Sequence, residues 1–154
     1  MLYTNGWSDS FLPLLKEGKM LTITPIGTSM FPLFTDPNDQ AILAYVNIEK
    51  LHRGDVILYR RNNGMLVLHR IVKKTNDTFY MTGDNQTKIE GPLYANQIYA
   101  VMAAFYRKGH LISCKNPVYM ILSRLWLFLR PIRPLISRPL GMLYRLTKGN
   151  INFL

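Results

Sequence analysis

Asn62-Asn63-Gly64 lies between two runs, residues 55–61 and 65–73, that are rich in β-branched, aromatic and aliphatic residues. Asparagine and glycine tolerate the left-handed backbone of a tight hairpin turn, so the two runs are expected to fold back on each other as antiparallel strands. The same strand-like composition recurs over residues 20–26, 40–46, 78–81 and 97–106. Turn-rich clusters separate these runs: Gly27-Thr28-Ser29, Thr35-Asp36-Pro37-Asn38-Asp39 and Thr75-Asn76-Asp77. Arg107-Lys108-Gly109 turns the last long run toward Leu111-Ile112-Ser113. The expected fold class is mainly β, built on an antiparallel sheet. Helix is expected only at the two ends, and no internal repeat is visible.

The N-terminal helix is short. Ser8-Asp9-Ser10 supply N-cap candidates, Phe11, Leu14 and Leu15 would share one side, and Gly18 would stop the helix after about Glu17. At 154 residues and 48% hydrophobic content the chain supports one folded domain with a real core, plus an appendage. A single cysteine, Cys114, excludes an intrachain disulfide framework. Three histidines and one cysteine, widely scattered, give no metal-ligand spacing, so neither a metal nor another cofactor is expected.

Charge divides the chain. Residues 1–106 hold ten Lys/Arg and nine Asp/Glu, whereas residues 107–154 hold nine Lys/Arg and no acid. The domain boundary is therefore expected at 113/114: a β domain over 1–113, then a basic, apolar tail over 114–154. Asn116 as N-cap and Pro117 at the first helical position open a helix to about Leu129, apolar nearly all round. Three Arg-Pro pairs follow, at 130–131, 133–134 and 138–139, and interrupt any longer helix; a last short helix is expected around 140–148. A basic segment this apolar suits an anionic membrane surface, engaged through residues 115–148, better than nucleic acid. No secretory signal or spanning segment is expected: the most apolar stretch, 117–129, is well short of the roughly 20 residues a bilayer requires. The expected location is peripheral on a membrane or cytoplasmic.

Candidate chemistry gathers in four places. Ser29 follows Gly27 and Thr28 and precedes Met30-Phe31-Pro32; glycine there permits a tight turn whose backbone N–H groups can converge on an oxyanion. His69 falls in mid-strand, on one face with Met65, Val67 and Ile71, where partial burial keeps an imidazole neutral and a rigid strand fixes its position as a general base. A carboxylate behind the ring would select its tautomer, and two acids are candidates: Asp84, in Gly83-Asp84-Asn85, and Glu90, before Gly91-Pro92. Spacing alone does not decide between them. His52 and His110 adjoin loop signals and read as surface residues, and Lys73 and Lys74 end the strand, too solvated for a lowered pKa.

Four motifs, in order, resemble the type I signal peptidase family, within the wider clan that includes LexA-like self-cleaving repressors. They are Gly27-Thr28-Ser29-Met30-Phe31-Pro32, Arg53-Gly54-Asp55-Val56-Ile57-Leu58-Tyr59, Val67-Leu68-His69-Arg70-Ile71-Val72 and Thr82-Gly83-Asp84-Asn85-Gln86, covering about residues 20–106. His69-Arg70 is similar to the archaeal and endoplasmic-reticulum types, where bacterial members carry Lys-Arg. The resemblance implies a coiled antiparallel β domain, Ser29 as nucleophile, His69 as base and Asp84 or Glu90 as third member. It further implies a serine endopeptidase that cuts a leader or signal peptide from a protein substrate. The competing expectation is an inactive relative that binds peptides or proteins through the same groove. A LexA-like DNA-binding role fits poorly: residues before 20 have no room for a helix-turn-helix, and the tail is too apolar and proline-broken for a recognition helix. The chain also departs from the family. It shows no N-terminal anchor helix, and Gly27 stands where some bacterial members carry an oxyanion-donating hydroxyl.

Overall fold

The computed structural model describes residues 7–132 together with Leu135 and Met142. Eight strands form among the described residues: β1 (Leu21–Ile23), β2 (Gln40–Tyr45), β3 (Val56–Arg60), β4 (Leu66–Lys74), β5 (Phe79–Thr82), β6 (Glu90–Leu93), β7 (Ile98–Arg107) and β8 (His110–Ser113). Helices α1 (Trp7–Lys16) and α2 (Pro117–Phe128) flank them. All strand pairs are antiparallel, in the order β1-β2-β7-β3-β4-β5-β6, with β8 added to β7. The mainly β expectation holds.

The hairpin predicted around Asn62-Asn63-Gly64 joins β3 to β4. Its register pairs Ile57 with His69 and Tyr59 with Val67, and Arg61 N–H closes it on the Met65 carbonyl at 2.9 Å. Alternation on β3 sends Val56 and Leu58 into one core and Ile57 and Tyr59 into another. A strand that buries both faces reads as a continuous apolar run, as Val56-Ile57-Leu58-Tyr59 does. The first core also takes Leu66 and Leu68 of β4, Met102 and Phe105 of β7, and Phe11 and Leu15 of α1. The second takes Ile71, Phe79, Met81 and Ile98. Register shifts at Ile42/Leu43, Leu58/Tyr59, Ile71/Lys73 and Phe79/Met81 add local twist, which lets one sheet enclose two cores.

Three expectations are corrected in detail. The first helix begins at Trp7, so Ser8-Asp9-Ser10 lie inside it rather than at its cap, and it runs through Pro13. Phe11 and Leu15 are buried as expected, but Leu14 is exposed; burial of the other two against the sheet, with Phe11 edge-on to Tyr99, offsets the hydrogen bond that proline cannot make. Gly18 does end the helix, with its N–H on Leu15 O and the Lys19 N–H on Leu14 O. β6 was not anticipated, because Gly91-Pro92 reads as a turn. Proline is accommodated there because β6 is an edge strand that pairs with β5 alone.

At the other end Asn116 caps α2 by accepting from the Val118 and Tyr119 N–H groups, as its sequence indicates. This helix is not detached from the β domain. Tyr119 packs on Phe105 with ring centroids 5.2 Å apart, Leu127 is buried, and Trp126 Nε1 donates to the Asp84 carbonyl at 2.9 Å. No helix among the described residues is long and apolar enough to cross a membrane. The helix expected around 140–148 lies, but for Met142, outside the described residues.

A buried ion pair joins these parts. Arg70 of β4 is fully enclosed and grips Asp84 with two hydrogen bonds, Nε to Oδ1 at 2.8 Å and Nη2 to Oδ2 at 2.6 Å. Its Nη1 donates to the Gly54 carbonyl at 2.7 Å and reaches the Tyr119 hydroxyl at 3.4 Å. Removing one partner of such a pair strands the other charge in the interior. Arg70→Leu is therefore expected to lower unfolding free energy by about 3–5 kcal/mol in urea titrations; a loss below about 1 kcal/mol would show that the pair does not hold the fold together.

Candidate active site

Ser29 stands in the turn that leaves β1. Gly27 opens this turn with φ +94°, a conformation that costs L-residues strain, which accounts for glycine at this position. Thr28 is exposed and Met30 is buried in the first core, so the turn is anchored by the residue just after the serine. Its internal hydrogen bonds run from Phe31 N–H to Thr28 O and from Leu33 and Phe34 N–H to Met30 O. The other anchor is distant in sequence: the Asn85 N–H donates to the Ser29 carbonyl at 2.8 Å. Gly83 is required for that approach, since a Cβ there would lie 2.6 Å from the Ser29 carbonyl oxygen. The Thr82-Gly83-Asp84-Asn85 segment thus supports the serine turn with its backbone.

His69 faces the same place from β4. Ser29, with Gly27 and Thr28 beside it, and His69 line one cleft of about 330 Å³, together with Arg61, Met65 and Val67 of the hairpin. Among the described residues Ser29 Oγ makes no hydrogen bond with His69, although the two line the same cleft.

Behind the imidazole lies a network that the sequence reading only half identified. His69 Nδ1 is 3.1 Å from the Tyr59 hydroxyl and 3.7 Å from Glu90 Oε1. Tyr59 donates its proton to Glu90 Oε2 at 2.6 Å. The tyrosine oxygen can then only accept, which assigns the ring proton to Nδ1 and leaves Nε2 with the lone pair. Arg61 holds the carboxylate from the far side, Nε donating to Oε2 at 2.7 Å and Nη2 pairing with Oε1. Of the two acids weighed for the third position, Glu90 therefore adjoins the imidazole, while Asp84 faces away and is committed to Arg70.

Tyr59 and Arg61 were missed, though the signal was present. A hairpin centred on Asn63 pairs residue 57 with 69, so residue 59 falls diagonally beside His69 on the same face. What spacing left open was the choice of Glu90 over Asp84, since Glu90 reaches the ring from β6, two strands away across β5. His52 and His110 are exposed, as expected. Lys74 is occupied by three backbone carbonyls, of Ile48, Glu49 and Leu51, and Lys73 lies over the Tyr80 ring.

Electrostatics follow from this enclosure. Burial pushes the His69 imidazole down to about 4, against the opposing pull of Glu90. For Glu90 burial works upward, but hydrogen bonds from Arg61 and Tyr59 outweigh it and hold the carboxyl below its usual range. Burial first, and the Glu90 carboxylate next, push the Tyr59 phenol far up, so it stays a donor. His69 is hence a neutral base opposite an ionised Glu90 at ordinary pH. Between pH 6.5 and about 4 the unfolded chain binds a proton on this ring that the folded chain does not, so stability should fall as pH drops through that window. An NMR titration should find the His69 midpoint near 4. A midpoint at its ordinary value would mean that the ring is open to water. The sequence as a whole matches no protein-family model, and it matches no curated protein.

Proposed function

We propose that this protein is a serine endopeptidase of the signal-peptidase type that acts by a Ser–His mechanism on a leader or signal peptide. The observation that carries the reading is the convergence of Ser29 and His69 on one cleft, with the Nδ1 side of the imidazole backed by Tyr59 and Glu90. Ser29 Oγ attacks the peptide carbonyl while His69 Nε2 takes its proton. The imidazolium formed is stabilised by Glu90, which Arg61 and Tyr59 hold in place. The N–H groups of Ser29 and Met30, which take no part in the turn's own hydrogen bonds among the described residues, are the donors available to the oxyanion. Collapse of the tetrahedral adduct breaks the C–N bond, and His69 returns the proton to the departing amine. Water then repeats the sequence on the acyl-enzyme, releasing the acid and restoring Ser29.

Substrate class rests on the resemblance and on the shape of the cleft. It runs between the exposed segment leaving β1, at Pro25 and Ile26, and the Met65–Leu68 arm of the hairpin, so an extended chain fits it better than a folded surface. One observation favours the competing reading, a catalytically inactive peptide-binding module: Ser29 and His69 are not in hydrogen-bond contact among the described residues.

A leader-peptide cleavage assay, paired with fluorophosphonate labelling, separates the two. Wild type should cleave and label at Ser29. Ser29→Ala and His69→Ala should each lose about 10³-fold or more in kcat, and Glu90→Gln about 10²–10⁴-fold. Asp84→Asn should instead act mainly on stability. Unlabelled wild type that binds peptide equally well with and without Ser29 Oγ would establish the binding module.

A further inference from the structure

The inner side of α2 is spent on the domain, through Tyr119, Trp126 and Leu127; its outer side is not. Val118, Ile121, Leu122, Leu125 and Phe128 are between 51% and 76% exposed. They recur at helical spacings of three and four and so form one apolar stripe along the helix. A contiguous apolar face of this kind in water indicates something that covers it. At the C-terminal end of the same helix, Arg130 joins Arg53 and Lys73 around a cleft of about 190 Å³ that also contains Tyr80 and Leu127. Among the described residues no carboxylate lines this cleft. Arg130 Nη1 is buried without a hydrogen-bond partner among them. A buried guanidinium N–H is costly to leave unmatched, and three cations converging without an acid call for an anion.

We propose that α2 docks its outer face onto an anionic phospholipid surface, with a lipid phosphate seated between Arg53, Lys73 and Arg130. The apolar stripe matches acyl chains in chemistry, and the cationic cleft matches the phosphodiester. Charge favours this occupant over a second copy of the chain, because residues 107–154 contain nine Lys/Arg and no acid. A second copy of the same segment would bring like charges together. The proposal does not depend on Ser29 or His69, so it stands or falls apart from the peptidase reading.

The test is sedimentation of the full chain with vesicles of phosphatidylcholine alone or mixed with phosphatidylglycerol. Two double variants at exposed positions, Ile121→Glu/Leu125→Glu and Arg53→Ser/Lys73→Ser, accompany wild type, with far-UV circular dichroism confirming that each folds. Wild type should bind the mixed vesicles and not the neutral ones. The first variant should bind them at least tenfold more weakly, and the second about thirtyfold more weakly, since each basic residue contributes about fivefold at such a surface. Equal binding to both vesicle types, or unchanged binding by Ile121→Glu/Leu125→Glu, would overturn the proposal. So would wild-type dimerisation that this variant abolishes while neither protein binds vesicles.

Discussion

Arg70 and Asp84 meet by two hydrogen bonds in a place closed to water, and the Gly54 turn, the Ser29 turn and α2 are fastened around them. Arg70 is carried by the same strand as His69 and reaches the Gly54 turn and the Tyr119 hydroxyl. Asp84 lies between Gly83, against which the Ser29 carbonyl rests, and Asn85, which donates to it; its own carbonyl receives Trp126 of α2. The His69 strand, the Ser29 turn and the C-terminal helix are thus referred to a single charge pair. Desolvation makes that pair unforgiving of change in either partner, which suits a device whose work is to hold a geometry.

Around His69 the physical problem is different, because a buried imidazole lies beside a carboxylate. Burial disfavours the charged ring, while Glu90 opposes that effect from the Nδ1 side. Tyr59 stands between them in a specific sense: its single proton goes to Glu90, so its oxygen can only accept from the ring. Arg61 neutralises the carboxylate in part and fixes its plane. The result is a ring of defined tautomer, its proton on Nδ1.

Local chemistry was legible in the sequence and long-range contact was not. Asn62-Asn63-Gly64 specified the hairpin, alternation put His69 on the face of Val67 and Ile71, and Asn116-Pro117 marked the start of α2. Each of these depends on residues within a few positions of one another. The same hairpin register places Tyr59, two residue pairs from the Ile57–His69 pair, diagonally beside His69. Choosing Glu90 over Asp84 as the neighbour of the imidazole required the order of β4, β5 and β6, and an edge strand containing Gly91-Pro92 offers no periodic signal. Docking of α2 through Trp126 was hidden for a similar reason: its partner is a backbone carbonyl, which carries no sequence signature.

The course of β7 has a consequence for how the molecule comes into being. This strand pairs with β2 on one side and with β3 and β8 on the other, so it supplies the inner edge for both halves of the sheet. It is also among the last strands in the chain. On a ribosome β2 and the β3–β4 hairpin would emerge with their inner edges unpaired and wait for residues 98–107 to join them. The sheet therefore closes late and from its middle, by contacts between residues far apart in sequence, the pattern associated with slow folding and with nascent edges that need protection.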